Sequence, residues 1–71
     1  MGIFKIKILP KGIVKEIMVS SRRLKVRELI RLLGYSLEDV VVIKGDGKIL
    51  TDIDEISEND NIIVFTVFSG G

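Results

Sequence analysis

The chain has 71 residues, 46% of them hydrophobic, with eleven Lys and Arg against ten Asp and Glu for a net charge of +1. A chain of this length makes one domain and buries only about 60% of its unfolded surface, so its core has to be dense. Cys and His are both absent, which removes the usual nitrogen and sulfur ligands for zinc, haem and iron–sulfur clusters, along with the commonest nucleophile and general base. The composition argues against a disulfide scaffold and against a self-contained enzyme.

Residues 3–9 alternate, with Phe4, Ile6 and Ile8 on one face and Lys5 and Lys7 on the other, the period of a strand. Pro10-Lys11-Gly12 is turn chemistry, and residues 13–19 return as the second strand of a hairpin. Either Ile13, Ile17 and Val19 or Val14 and Met18 face the core. The period then changes: Val26, Leu29, Ile30 and Leu33 recur at i, i+3, i+4 and i+7, giving an amphipathic helix of about two to three turns. Gly34 closes it. The expected N-cap position holds Lys25, whose side chain cannot accept a hydrogen bond, so the helix start is weak or moves back to Ser20 and Ser21.

Residues 36–39 form a polar link with the character of a short turn. The β-branched run Val40-Val41-Val42-Ile43 reads as a buried central strand. Gly45-Asp46-Gly47 turns the chain into a short strand, Lys48-Ile49-Leu50. A polar loop spans residues 51–60, and residues 61–68 form the last strand. One helix cannot cover both faces of such a sheet, so it lies across one, and the fold class is a two-layer α+β domain. The domain is expected to run over residues 1–68, with residues 69–71 as a flexible arm.

Charge is uneven: residues 1–35 carry nine bases against two acids, and residues 36–71 two bases against eight acids. The halves either complement each other across the fold, which is the reading preferred, or polarise the surface toward a charged partner. No stretch approaches the roughly 20 apolar residues that span a bilayer, and neither a secretory signal nor a myristoylation pattern after Gly2 is visible. A cytoplasmic protein without membrane contact is the expectation.

The sequence finishes Val67-Phe68-Ser69-Gly70-Gly71. Glycine lacks a Cβ, so a Gly-Gly arm enters a channel too narrow for other residues. Its reactive group is the Gly71 carboxylate. A frayed terminus is the plain alternative.

A hairpin, one helix, the Gly45-Asp46-Gly47-Lys48-Ile49-Leu50 turn, an acidic loop, a closing β run and the terminal Gly-Gly together resemble the β-grasp sulfur carriers and ubiquitin-like proteins, nearest the ThiS and MoaD families. Val26-Arg27-Glu28-Leu29 is similar to the family's V-x-E-L helix start. The strand through Lys44-Gly45 resembles one that ends at Asn-Gly, with Lys44 in place of Asn. Glu58-Asn59-Asp60-Asn61-Ile62-Ile63-Val64 resembles the DGDxVxV segment, with Asn59 where Gly is common.

The resemblance implies a β-grasp fold with a four- to five-stranded mixed sheet, and a protein co-substrate rather than a catalyst. A partner adenylating enzyme, using ATP and Mg, activates the Gly71 carboxylate, and a sulfur donor converts it to a thiocarboxylate. A thiazole synthase, the large subunit of molybdopterin synthase or a tRNA thiolation enzyme consumes the sulfur. In the ubiquitin-like branch Gly71 is joined instead to lysines of target proteins. An interaction module with an incidental tail is the third reading. None of these requires a cofactor bound by this chain.

On that basis Gly71 is the activated residue, and Gly70 and Ser69 thread the partner's channel. With Ile62 and Val64 toward the core, Ile63, Phe65 and Val67 form an open apolar docking face, and Phe68 anchors the arm; a one-residue slip would exchange the two faces. Gly45-Asp46-Gly47 lacks the Lys-Ser/Thr and helix of a phosphate loop, so it is a hairpin turn. The acids Asp52, Asp54, Glu55, Glu58 and Asp60 lack the spacing of a calcium loop and form a solvated one. Arg22, Arg23, Lys25, Arg27 and Arg31, with few aromatics near them, do not make a nucleic-acid site.

Overall fold

The computed structural model describes residues 1–67. In chain order it runs β1 (Gly2–Leu9), β2 (Ile13–Val19), β3 (Arg23–Lys25), α1 (Val26–Leu33), a 3-10 turn (Leu37–Asp39), β4 (Val40–Lys44), β5 (Ile49–Leu50), β6 (Glu55–Ser57) and β7 (Ile62–Thr66). Five strands form a mixed sheet in the order β2-β1-β7-β4-β5. In it β7 runs parallel to β1 and antiparallel to β4. With α1 across one face, this is the α+β β-grasp architecture.

Alternation decides what is buried. Phe4, Ile6 and Ile8 from β1, Ile62 and Val64 from β7, Val42 and Leu50 meet Val26, Leu29 and Ile30 of the helix in a single core. Ile17 and Val19 pack at its edge, while Val14 and Met18 are exposed, which resolves the two faces left open for β2; Ile13, at the start of the strand, is exposed as well. Gly2 is buried opposite Val19. A Cβ there would lie 2.5 Å from the Ser21 carbonyl oxygen, so the strand start tolerates no side chain.

Three expectations need correcting. The β-branched run of β4 is not central: β7 holds that place, and only Val42 of β4 is buried, with Val40, Val41 and Ile43 half-buried. The polar loop of residues 51–60 contains β6, which pairs with the unforeseen β3 and sets Leu24 opposite Ile56 at the bottom of the core. Three-residue strands are too short to show a period. The last strand ends at Thr66, two residues earlier than expected, and Phe68 lies outside the described residues.

The helix begins at Val26, and its missing cap is supplied from a distance. The Val26 and Arg27 N–H groups donate to the Asp54 and Asp52 carbonyls at 2.9 and 3.0 Å, satisfying donors that a Ser or Thr cap would have taken. Glu28 Oε1 accepts from the Lys25 N–H at 3.1 Å. At the other end Gly34 adopts φ 85°, and the Gly34 and Tyr35 N–H groups donate to Arg31 and Ile30 carbonyls, a Schellman closure. The loop that caps the helix is itself held by Asp54, whose Oδ2 accepts from the Thr51 N–H at 2.7 Å and from the Thr51 hydroxyl at 3.1 Å.

Two predictions follow from this packing. The Thr51 N–H, then its hydroxyl, hold the Asp54 carboxyl below its ordinary value, with the Lys48 and Lys44 charges adding to the effect and partial desolvation opposing it. The stability this carboxylate contributes is complete above about pH 4 and is lost as pH falls through the lower folded-state value. Asp54→Asn therefore lowers the denaturant midpoint at neutral pH and flattens its fall as pH drops below about 4; an unchanged acid limb contradicts the account. The register of β7 makes the second prediction. Val64→Asp puts a charge in a fully buried position and unfolds the domain, at a cost of several kcal/mol. Phe65→Asp, one residue on, costs about 1 kcal/mol or less. Circular dichroism with urea titration separates the two.

Candidate functional site

The site-bearing surface is the sheet face that α1 leaves uncovered. Residues opposite one another across paired strands share a face, so the register assembles it directly. Phe65 lies between Leu9 of β1 and Val41 of β4, and Ile63 lies between Lys7 and Ile43. Ile43 in turn faces Ile49 of β5. The result is an apolar ribbon across four strands. Phe65 is 40% exposed, Ile49 67% and Val67 57%, whereas Val64, next to Phe65 in the chain, is fully buried. An isolated apolar residue at a surface is ordinary, but a contiguous strip of this kind marks a contact surface.

Of the docking residues proposed from sequence, Ile63 and Phe65 fall on this side of β7, with Ile63 half-buried, and Val67, one residue past the strand, is exposed. Phe68, Ser69, Gly70 and Gly71 lie outside the described residues. Leu9, Val41, Ile43 and Ile49 belong to the same ribbon and were missed. For Val41 and Ile43 the signal is the unbroken apolar run of β4, which has core on one face and this strip on the other. Where the strip ends, the Val67 N–H donates to the Asp39 carbonyl at 3.0 Å, which ties the last described residue to the start of β4.

The polar motifs resolve into structural roles. Gly45-Asp46-Gly47 is a hairpin turn: Asp46 Oδ1 accepts from the Lys48 N–H at 2.9 Å, the Gly47 N–H reaches the Lys44 carbonyl at 2.8 Å, and Gly47 takes φ 91°. Gly45 packs tightly on Asn61, whose Cβ lies 2.9 Å from where a side chain would begin. Asp60 Oδ2 accepts from the Ser57 N–H at 2.8 Å while its Oδ1 lies 3.9 Å from Lys44 Nζ. Glu58 pairs with Arg22 at 3.4 Å, a contact between the basic and acidic halves of the chain. Among the described residues no three carboxylates gather as a metal site, and no helix is long and apolar enough to cross a membrane. A hollow of about 430 Å³ is lined mainly by apolar side chains, Val26, Leu37, Val40 and Leu50 among them, with Thr51 and the carboxylates Glu38 and Asp52 also contributing.

The geometry on the open side of the sheet is an exposed apolar strip, and comparison with known proteins gives the family. A family model described as the ThiS family matches residues 8–71. The sulfur carrier protein TtuB of Thermus thermophilus is 39% identical over 57 residues, which span 80% of this chain and 85% of that protein. A sheet with one helix on one face, an apolar strip on the other, and a match that runs through both terminal glycines have one common reading: the chain belongs to the ThiS family of sulfur carrier proteins.

Proposed function

We propose that this protein carries sulfur on its C-terminal glycine. The Gly71 carboxylate attacks the α-phosphate of ATP in a partner adenylating enzyme, which supplies the Mg and the catalytic groups, and pyrophosphate leaves. A carboxylate is a poor electrophile, and the acyl-adenylate corrects this by providing AMP as a leaving group. With hydrosulfide as the sulfur equivalent, attack on the Gly71 carbonyl gives a thiocarboxylate, AMP and a proton. A downstream synthase in thiamine thiazole or molybdopterin formation, or a tRNA thiolation enzyme, then takes the sulfur.

The observation that carries this reading is the family match extending through Gly71. The open strip around Ile63, Phe65 and Val67 supports it, since Ser69-Gly70-Gly71 follows β7 closely in sequence: in this reading those residues thread the partner's channel while the strip docks on its surface. The chain's lack of His and Cys is no obstacle to a substrate whose chemistry is done by its partner. TtuB is itself named a sulfur carrier, which favours transfer to sulfur over joining to target lysines.

Deleting Gly71, or converting its carboxylate to an amide, abolishes ATP–pyrophosphate exchange by the cognate adenylating enzyme and leaves the denaturation midpoint unchanged. Exchange retained by the truncated chain overturns the proposal.

A further inference from the structure

The charges of the open face are distributed differently from those of the whole chain. β7, β4 and β5 present no acid on this side, for the residues aligned there are Ile63, Phe65, Val41, Ile43 and Ile49. β1 and β2 contribute Lys5, Lys7 and Glu16. Lys5 Nζ lies 3.7 Å from Glu16 Oε2. Lys7 has no carboxylate within ion-pair distance among the described residues. It sits at the margin of the apolar ribbon, opposite Ile63 on one side and Val14 on the other.

A hollow of about 260 Å³ opens beside it, lined by Lys5, Lys7, Val14, Asn61 and Ile63. Its walls are the Val14 and Ile63 side chains and the methylene stems of the lysines, which lie along apolar surface while their ammonium groups reach for water. A side chain that fits such a space has a short apolar stem and an anionic end, which is the chemistry of a glutamate or aspartate. Whatever covers Ile63 also takes water from the Lys7 ammonium. That loss is tolerable only if the covering surface returns a counter-charge, because an unpaired charge in an interface is strongly unfavourable.

We propose that Lys7 is the charge-selecting residue of the docking face: a carboxylate side chain of the adenylating enzyme enters this hollow and pairs with Lys7, while apolar residues around it cover Ile63 and Phe65. Lys7 admits partners that bring a carboxylate to this point and rejects apolar surfaces that do not. The inference rests on the reading of the open face as the surface that meets the adenylating enzyme.

The test is calorimetric binding of the full chain to its cognate adenylating enzyme at low and high salt. The chains compared are wild type, Lys7→Gln, Lys7→Glu, Lys5→Gln and Phe65→Asp, each first checked by circular dichroism to be fully folded under the binding conditions. Lys7→Gln is expected to weaken binding about five- to tenfold at low salt, Lys7→Glu by more, and the gap from wild type to narrow as salt rises. Lys5→Gln, which loses a lysine already matched by Glu16, stays within about twofold. If Phe65→Asp loses binding but Lys7→Gln stays within about twofold of wild type, the face is right and the role of Lys7 is wrong. Unchanged binding by Phe65→Asp removes the docking face itself, whatever Lys7 does.

Discussion

The molecule depends on the alternation of β7. This strand is the centre of the sheet, hydrogen-bonded to β1 on one side and β4 on the other, so its register fixes theirs. Ile62 and Val64 point into the core while Ile63 and Phe65 point out. Because the side-chain period is two, a slip of one residue would carry the exposed strip into the core and the core into water. The burial of Val64 against α1 is thus what holds Phe65 at the surface. The two neighbours of β7 repeat the pattern, so that Leu9, Val41 and Ile43 extend outward what Ile8 and Val42 anchor inward.

The helix that covers the inner face is equally conditional. Its sequence gives it a good stripe and a glycine stop but no cap at its start, and its first N–H groups are satisfied by carbonyls of residues 52 and 54. The acidic loop thereby becomes part of the helix. Asp54 shapes it through Thr51, and Asp60 and Glu58 tie the following segment to Ser57, Lys44 and Arg22. This economy suits a chain too small to stabilise its elements independently. It also draws these acids into the scaffold, away from the open face, which is left with an apolar centre and lysines at its margin.

Much of this was legible in the residues. The alternation of Phe4, Ile6 and Ile8 and the helical spacing of Val26, Leu29, Ile30 and Leu33 are strong periodic signals, and both elements formed as expected. Gly34 and Gly47 marked a helix end and a hairpin by chemistry alone. What could not be read had no period or had two meanings. Leu24 and Ile56 each stand as one apolar residue within a three-residue strand, and only their pairing across the chain makes them core. The run Val40-Val41-Val42-Ile43 is apolar on both faces, a pattern that burial between two layers and a face reserved for a partner produce alike. For the same reason Phe65 was anticipated at the surface while Val41, Ile43 and Ile49 were not.

In the proposed function recognition is separated from chemistry: the open face is what a partner recognises, and Gly71 is what reacts in that partner's active site. The most direct measurement is an intact-mass spectrum of the protein isolated from its own host under non-reducing, thiol-free conditions. The account predicts a species heavier than the plain chain by the difference between one sulfur and one oxygen atom, confined to the C-terminal fragment and absent when Gly71 is deleted. Recovery of the unmodified carboxylate alone, even after incubation with the cognate adenylating enzyme, ATP and a sulfide source, would contradict it.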